Sequence, residues 1–194
     1  MTAVLLLAAM IAAPACPVDG KPAAADSKLV DANGIRFRFC SEDCRAAFKL
    51  APMEKLASAA KQRWTVGTAV FDPVAGRKLT PQTARGGTSD FGGVRFTFLN
   101  GANRSTFDAD PKRYGEVPAQ WAAICPVMDV ELAHTYGASG YVDVRGVRIF
   151  ACCEQCFPRL RAEPERWRAA CEGKIGSPKA FDVPAVWNKL SGPG

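Results

Sequence analysis

Ile35-Arg36-Phe37-Arg38-Phe39-Cys40-Ser41-Glu42-Asp43-Cys44 has the pattern of a strand running straight into a helix, and the chain contains it three times. The other copies are Val94-Arg95-Phe96-Thr97-Phe98-Leu99-Asn100-Gly101-Ala102-Asn103 and Val147-Arg148-Ile149-Phe150-Ala151-Cys152-Cys153-Glu154-Gln155-Cys156, and both align without a gap. A Pro-Val turn precedes each copy, as Cys16-Pro17-Val18-Asp19, Asp72-Pro73-Val74-Ala75 and Cys125-Pro126-Val127-Met128. The outer copies carry three aligned thiols each. In the middle copy those positions are Asp72, Leu99 and Asn103. A packing role would be needed equally in all three, so the pattern points to ligands.

The local chemistry of the repeat predicts a small unit. Ile35, Phe37 and Phe39 alternate with Arg36 and Arg38, which buries one face of a strand. Asn33-Gly34 predicts a type I′ hairpin from a first strand over 27–31, and Gly92-Gly93 and Gly146 fall at the equivalent turns. Ser41 is a good N-cap, with Glu42 and Asp43 in the first turn of the helix. Phe48, Phe107 and Leu160 share one core position on that helix. It ends before Pro52, Pro111 and Pro164, each of which opens a second short helix, anchored by Leu56, Tyr114 and Trp167.

The predicted fold is therefore α+β, with three tandem units of β-hairpin, helix and short helix. A period of roughly 50 to 60 residues in a chain of 194 supports three units. The divisions are a leader-like segment 1–15, unit 1 at 16–63, unit 2 at 64–118 and unit 3 at 119–194. Residues 57–63 and 115–121 read as connections. No low-complexity linker separates the units, so they are expected to pack on one another. Phe181, Val186 and Trp187 predict a docked tail. Units this small bury a limited core and often need a metal or disulfide staple.

Eight cysteines are present, six of them in the two motif sets. Cys40 ends a strand and Cys44 sits in the first helical turn, so both sulfurs point at one spot. Helix N-terminal N–H groups face that spot and favour thiolate. The hairpin brings the Pro-Val turn back and adds Cys16; Cys125, Cys152 and Cys156 repeat the arrangement. A closed tetrahedral site needs a fourth ligand. The candidates are Asp19 in unit 1 and Met128 in unit 3. The first set is then S3O, whereas three thiolates and a thioether suit Cu(I) or a heavy thiophile as well as zinc.

Phe39-Cys40-Ser41-Glu42-Asp43-Cys44 and Asp72-Pro73-Val74-Ala75-Gly76 resemble the TRASH domain and the related YHS domain, with a looser match at Ala151-Cys152-Cys153-Glu154-Gln155-Cys156. The likeness spans residues 16–170. It implies treble-clef-like units and metal binding, with Cys16, Cys40, Cys44, Cys125, Cys152 and Cys156 as ligands. The chain departs from that pattern in having 23 and 26 residues between the first Cys and the Cys pair of each set, and in lacking a second Cys or His in each knuckle.

Other readings compete with this one. Residues 3–13 form an uncharged apolar run closed by Ala13-Pro14-Ala15, the pattern of a signal-peptide core with its cleavage site, which predicts a periplasmic or secreted protein. A lipid anchor on Cys16 is the alternative, and it would consume a ligand. An oxidising compartment favours disulfides. Metal ligation is still preferred for the six motif cysteines, whereas a Cys153–Cys171 bridge is preferred for the two outside the motif, with Cys153 as an extra ligand next. The net charge of +6, densest at Arg159, Arg161, Arg166 and Arg168, reads as a solvated helix face and not as a nucleic-acid surface. His134, the single histidine, reads as an exposed loop residue and a poor catalytic base. Gly86-Gly87 and Gly92-Gly93 lack the strand–helix setting of a nucleotide site. The Cys153–Cys156 pair has redox spacing but overlaps the ligands.

The functional expectation is an exported, non-enzymatic protein holding zinc or copper(I), or a toxic thiophile, at about two ions per chain. Its partners would be metal ions and a metal transporter or metalloenzyme, with no stable membrane insertion after cleavage. The alternative is a secreted interaction scaffold stapled by zinc or disulfides.

Overall fold

Each quoted stretch becomes the second strand of a hairpin that feeds a helix. The computed structural model describes residues 13–23, 29–32, 34–116, 118, 120–132 and 137–176. Most of the leader-like segment, Ser27, Asn33, His134 and the tail residues Phe181, Val186 and Trp187 lie outside the described residues.

Unit 1 contains β1 (Val30–Ala32), β2 (Ile35–Phe37), α1 (Glu42–Leu50) and α2 (Pro52–Lys61). Unit 2 contains β3 (Gly67–Ala69), β4 (Phe71–Asp72), β5 (Arg77–Lys78), β6 (Thr88–Phe91), β7 (Val94–Thr97), α3 (Gly101–Ala109) and α4 (Pro111–Gly115). Unit 3 contains β8 (Gln120–Ala122), β9 (Ile124–Cys125), β10 (Val130–Glu131), β11 (Gly140–Val144), β12 (Val147–Ala151), α5 (Cys156–Ala162) and α6 (Pro164–Ala170). The described residues thus form a mixed α+β fold with three sheets and six helices.

The hairpins β1–β2, β6–β7 and β11–β12 are antiparallel. Gly92 and Gly93 have φ of 57° and 74°, and Arg145 and Gly146 have 47° and 73°. A two-residue turn that matches strand twist needs positive φ at both positions. Ser41 Oγ accepts from the Cys44 N–H at 3.2 Å, and Asn100 Oδ1 accepts from the Asn103 N–H at 2.9 Å. Pro52, Pro111 and Pro164 each open the second helix of their unit.

Units 1 and 2 share one aromatic core. Phe48 lies 5.1 Å from Phe37 and 5.3 Å from Phe39, and Phe107 lies 4.9 Å from Phe96 and 5.2 Å from Phe98. Such pairs contribute about 0.5–1.5 kcal/mol each beyond their buried area. Unit 3 fills the same space with Ile149, Leu160 and Trp167.

Two stretches expected to be connections are regular structure. Helix α2 continues to Lys61 because Leu56 and Ala59, three residues apart, both face the core. Gln120–Ala122 is a strand, paired parallel to β12. Strand β12 is also buried on both faces instead of one, with Arg148 5% and Phe150 1% exposed. Its second face is covered by Phe71, Tyr141 and Trp121. The Arg148 guanidinium there lies 3.7 Å from the Tyr141 ring centre and pairs with Asp143 at 2.7 Å.

The units are interlocked. One sheet runs β1-β2-β3-β7-β6, so β3 of unit 2 joins the hairpins of units 1 and 2. Another runs β4-β5-β11-β12-β8, so the opening turn of unit 2 extends the sheet of unit 3. Tyr141 N–H donates to the Gly76 carbonyl at 2.7 Å, and Lys78 N–H to that of Ser139 at 2.8 Å. Gly76 has φ +66°, and a Cβ there would collide with the Tyr141 carbonyl, so the join needs glycine.

Candidate metal centres

The motif residues converge at the same place in each unit, where the Pro-Val turn meets the strand end and the helix start. The middle unit shows the backbone design. Asp72 is fully buried. Its Oδ1 accepts from the Val74 and Ala75 N–H groups at 2.9 Å each. Its Oδ2 accepts from the Leu99 N–H and from Asn103 Nδ2 at 2.8 Å each. Four donors therefore hold one carboxylate, which is how a buried charge is tolerated.

The outer units build the same cage around sulfur. Backbone N–H groups of Val18, Asp19 and Cys40 face Cys16. Those of Val127, Met128 and Cys152 face Cys125. These are the positions of Val74, Ala75 and Leu99. Burial is the largest influence on both thiols and acts to raise them. It prevails at Cys16, whereas at Cys125 the converging N–H groups outweigh it and hold the thiol below its ordinary value. The turn in each unit closes on a left-handed residue, Gly20, Gly76 or Asp129, with φ of 72°, 66° and 51°.

In unit 1, Cys16, Asp19, Cys40 and Cys44 each bring a ligand atom within 4.8 Å of the others. Cys40 Sγ is 3.5 Å from Cys44 Sγ and 3.2 Å from Asp19 Oδ2. In unit 3, Cys125, Cys152 and Cys156 meet the same limit, with Cys152 and Cys156 sulfurs 3.7 Å apart. Zinc–sulfur bonds of about 2.3 Å give a regular tetrahedron an edge of about 3.8 Å, so both groups have metal-site dimensions.

The thiols of each group raise one another electrostatically. Burial, then Asp19 and the neighbouring thiols, push Cys40 up to about 12. Burial and Cys125 push Cys152 up to about 11. Burial and the surrounding thiols raise Cys156 as well. Burial acts to raise Asp19, but the Cys40 and Cys16 thiols and Lys21 outweigh it and keep the carboxylate low. Crowded acidic groups suppress one another's ionisation, and a bound cation reverses the balance.

All six motif cysteines thus lie where the sequence places them, and Asp19 joins the first group. Met128 is 58% exposed and turns its backbone N–H to Cys125. All eight cysteines are free thiols, and the bridge expected between Cys153 and Cys171 is not formed. Cys153 is exposed with its sulfur 3.3 Å from Cys156, whereas Cys171 is buried in the hydrophobic core of unit 3. Sequence reasoning missed the N–H cage and the role of Asp72. The available signal was that an acceptor and a donor, Asp72 and Asn103, replace two of three thiols.

Compared with protein-family models, with curated proteins and with solved structures, the chain matches none. The two cysteine groups among the described residues are compatible with metal binding and consistent with about two ions.

Proposed function

We propose that this chain is a non-enzymatic metal-binding protein built from three TRASH/YHS-like, treble-clef-like units. It takes one soft transition-metal ion in each outer unit, zinc or copper(I) or a toxic thiophilic metal. Cys16, Cys40, Cys44 and Asp19 hold the first ion, and Cys125, Cys152 and Cys156 hold the second. The protein is exported to the periplasm or beyond, where it sequesters the metal or delivers it to a transporter or metalloenzyme.

The observation that carries this reading is the contrast at one backbone site. The middle unit closes the cage with a carboxylate and an amide and needs no ion. The outer units place three mutually crowded thiols at the same positions. A fold that has a metal-free closure does not require thiols as staples alone, which favours a metal-handling role over a scaffold.

The test is to purify the reduced chain anaerobically and measure metal content, free thiols and folding together. About two equivalents per chain, removable by a competing chelator with the fold retained, supports a carrier. Unfolding on chelation would make the ions staples and favour the scaffold reading. Absence of metal, with thiols appearing only on reduction, would overturn metal binding.

A further inference from the structure

Cys153 occupies a position that has a different job in the other two units. Aligned with it are Ser41 and Asn100, whose side chains cap the first helix by accepting from Cys44 and Asn103 N–H groups. In unit 3 a thiol takes this place, and the backbone N–H groups of Cys156 and Gln155 face it. Helix α5 begins only at Cys156, has no side-chain cap, and is seven residues long against nine for α1 and α3. The cap position instead carries a sulfur 3.3 Å from Cys156 Sγ. That sulfur also interacts with Cys152, and it stands just outside the group of Cys125, Cys152 and Cys156 whose sulfurs all lie within 4.8 Å of one another.

Among the described residues, other candidates for a fourth ligand in unit 3 are engaged or turned away, and Cys171 is packed in the hydrophobic core. Met128, in the place of Asp19, is 58% exposed. Asp129 is bound by Lys174 at 2.6 Å, and Glu154 by Arg77 of unit 2.

Building on the metal-binding reading above, we propose that Cys153 is the fourth ligand of the unit 3 centre. That centre is then all-thiolate and selects the softer cations, while Asp19 makes the unit 1 centre a mixed sulfur–oxygen site suited to zinc. Cys153 is exposed, so its sulfur is also the one through which an ion enters and leaves. The two centres thus differ at two positions, Asp19 against Met128 in the turn and Ser41 against Cys153 at the helix cap.

The experiment is a Cd(II) titration of the reduced full chain, read by thiolate-to-metal ultraviolet absorption and by competition with a chelator. Cys40→Ser with Cys44→Ser silences unit 1, so that the signal reports unit 3. Adding Cys153→Ser is expected to lower that absorption by about a quarter and the Cd(II) affinity by about tenfold or more. Serine is the cap of unit 1, so this position accepts it, and Cys153→Ala provides the same readout without a cap. Unchanged absorption and affinity in both variants would overturn the inference while leaving three-cysteine binding intact. If the parent chain takes up no Cd(II) at either centre, the underlying reading fails, and this one with it.

Discussion

Asp72 in the middle unit and Cys16 and Cys125 in the outer units sit in the same three-N–H cage, yet they solve different problems. The carboxylate is a pure acceptor, and Asn103 supplies the fourth donor, so every hydrogen bond at Asp72 closes internally. Thiols are weak donors placed against one another and against Asp19, with sulfur contacts of 3.2–3.7 Å. The middle centre is complete as it stands; the outer ones hold crowded thiols in an arrangement compatible with a bound metal ion. The comparison separates what the fold needs, a filled cage, from what the thiols add, a group of sulfurs with metal-site dimensions.

The strongest way to break this comparison is to convert one centre into the other. Asp72→Cys with Leu99→Cys and Asn103→Cys is expected to raise bound metal from about two to about three per chain, by elemental analysis of reduced protein. Conversely, Cys40→Ser with Cys44→Ser removes one equivalent, Cys152→Ser with Cys156→Ser removes the other, and Leu99→Ala removes none. A third ion failing to bind would mean that the shared backbone cage does not define the site.

Next in size is the folding cost of emptying the middle cage. Asp72→Ala strands four donors and is expected to destabilise the metal-free chain by about 4 kcal/mol in chemical denaturation. A loss below about 1 kcal/mol would show that solvent reaches the cage.

The comparison also sharpens with pH. Burial and the neighbouring thiols push Cys40 up to about 12 and Cys152 up to about 11, so an ion binding at neutral pH must displace their protons. Affinity should therefore rise with pH between about 6 and 8, by about tenfold per unit for each proton released. Chelator competition across that range measures the slope, and a flat profile would exclude these thiols as ligands.

The smallest effect concerns the caps. Ser41→Ala and Asn100→Ala should each cost about 1 kcal/mol, because each removes one helix-capping acceptor. Equal losses in thermal unfolding would confirm that the two helix starts are equivalent despite their different centres.

Much of this was legible because it depends on short-range rules. The alternation in Ile35–Phe39, the cap at Ser41 and the prolines at 52, 111 and 164 act within a few residues, and the structure realises each one. Cys40 meets Cys44, and Cys152 meets Cys156, for the same reason, since each pair spans a strand end and the next helical turn; Cys16 and Cys125 arrive from turns separated from those pairs by 23 and 26 residues. Less legible were features that need a partner from elsewhere in the chain. The helix over Ala57–Lys61 and the strand at Gln120–Ala122 have weak local signals and exist because α2 meets the core and β8 meets β12.

By itself, then, the sequence determined the thrice-repeated strand-to-helix motif, the α+β character and the thiol positions, because periodicity, caps and motif spacing are local properties. Only the tertiary structure determined that unit 2 contributes strands to both large sheets, that Asp72 fills a cage of four donors, and that Cys153 turns towards Cys156 and not towards Cys171. Backbone edges pair and buried charges collect donors across distances that residue patterns do not encode, and Cys171 is drawn into the hydrophobic core away from Cys153, so those outcomes belong to the folded chain.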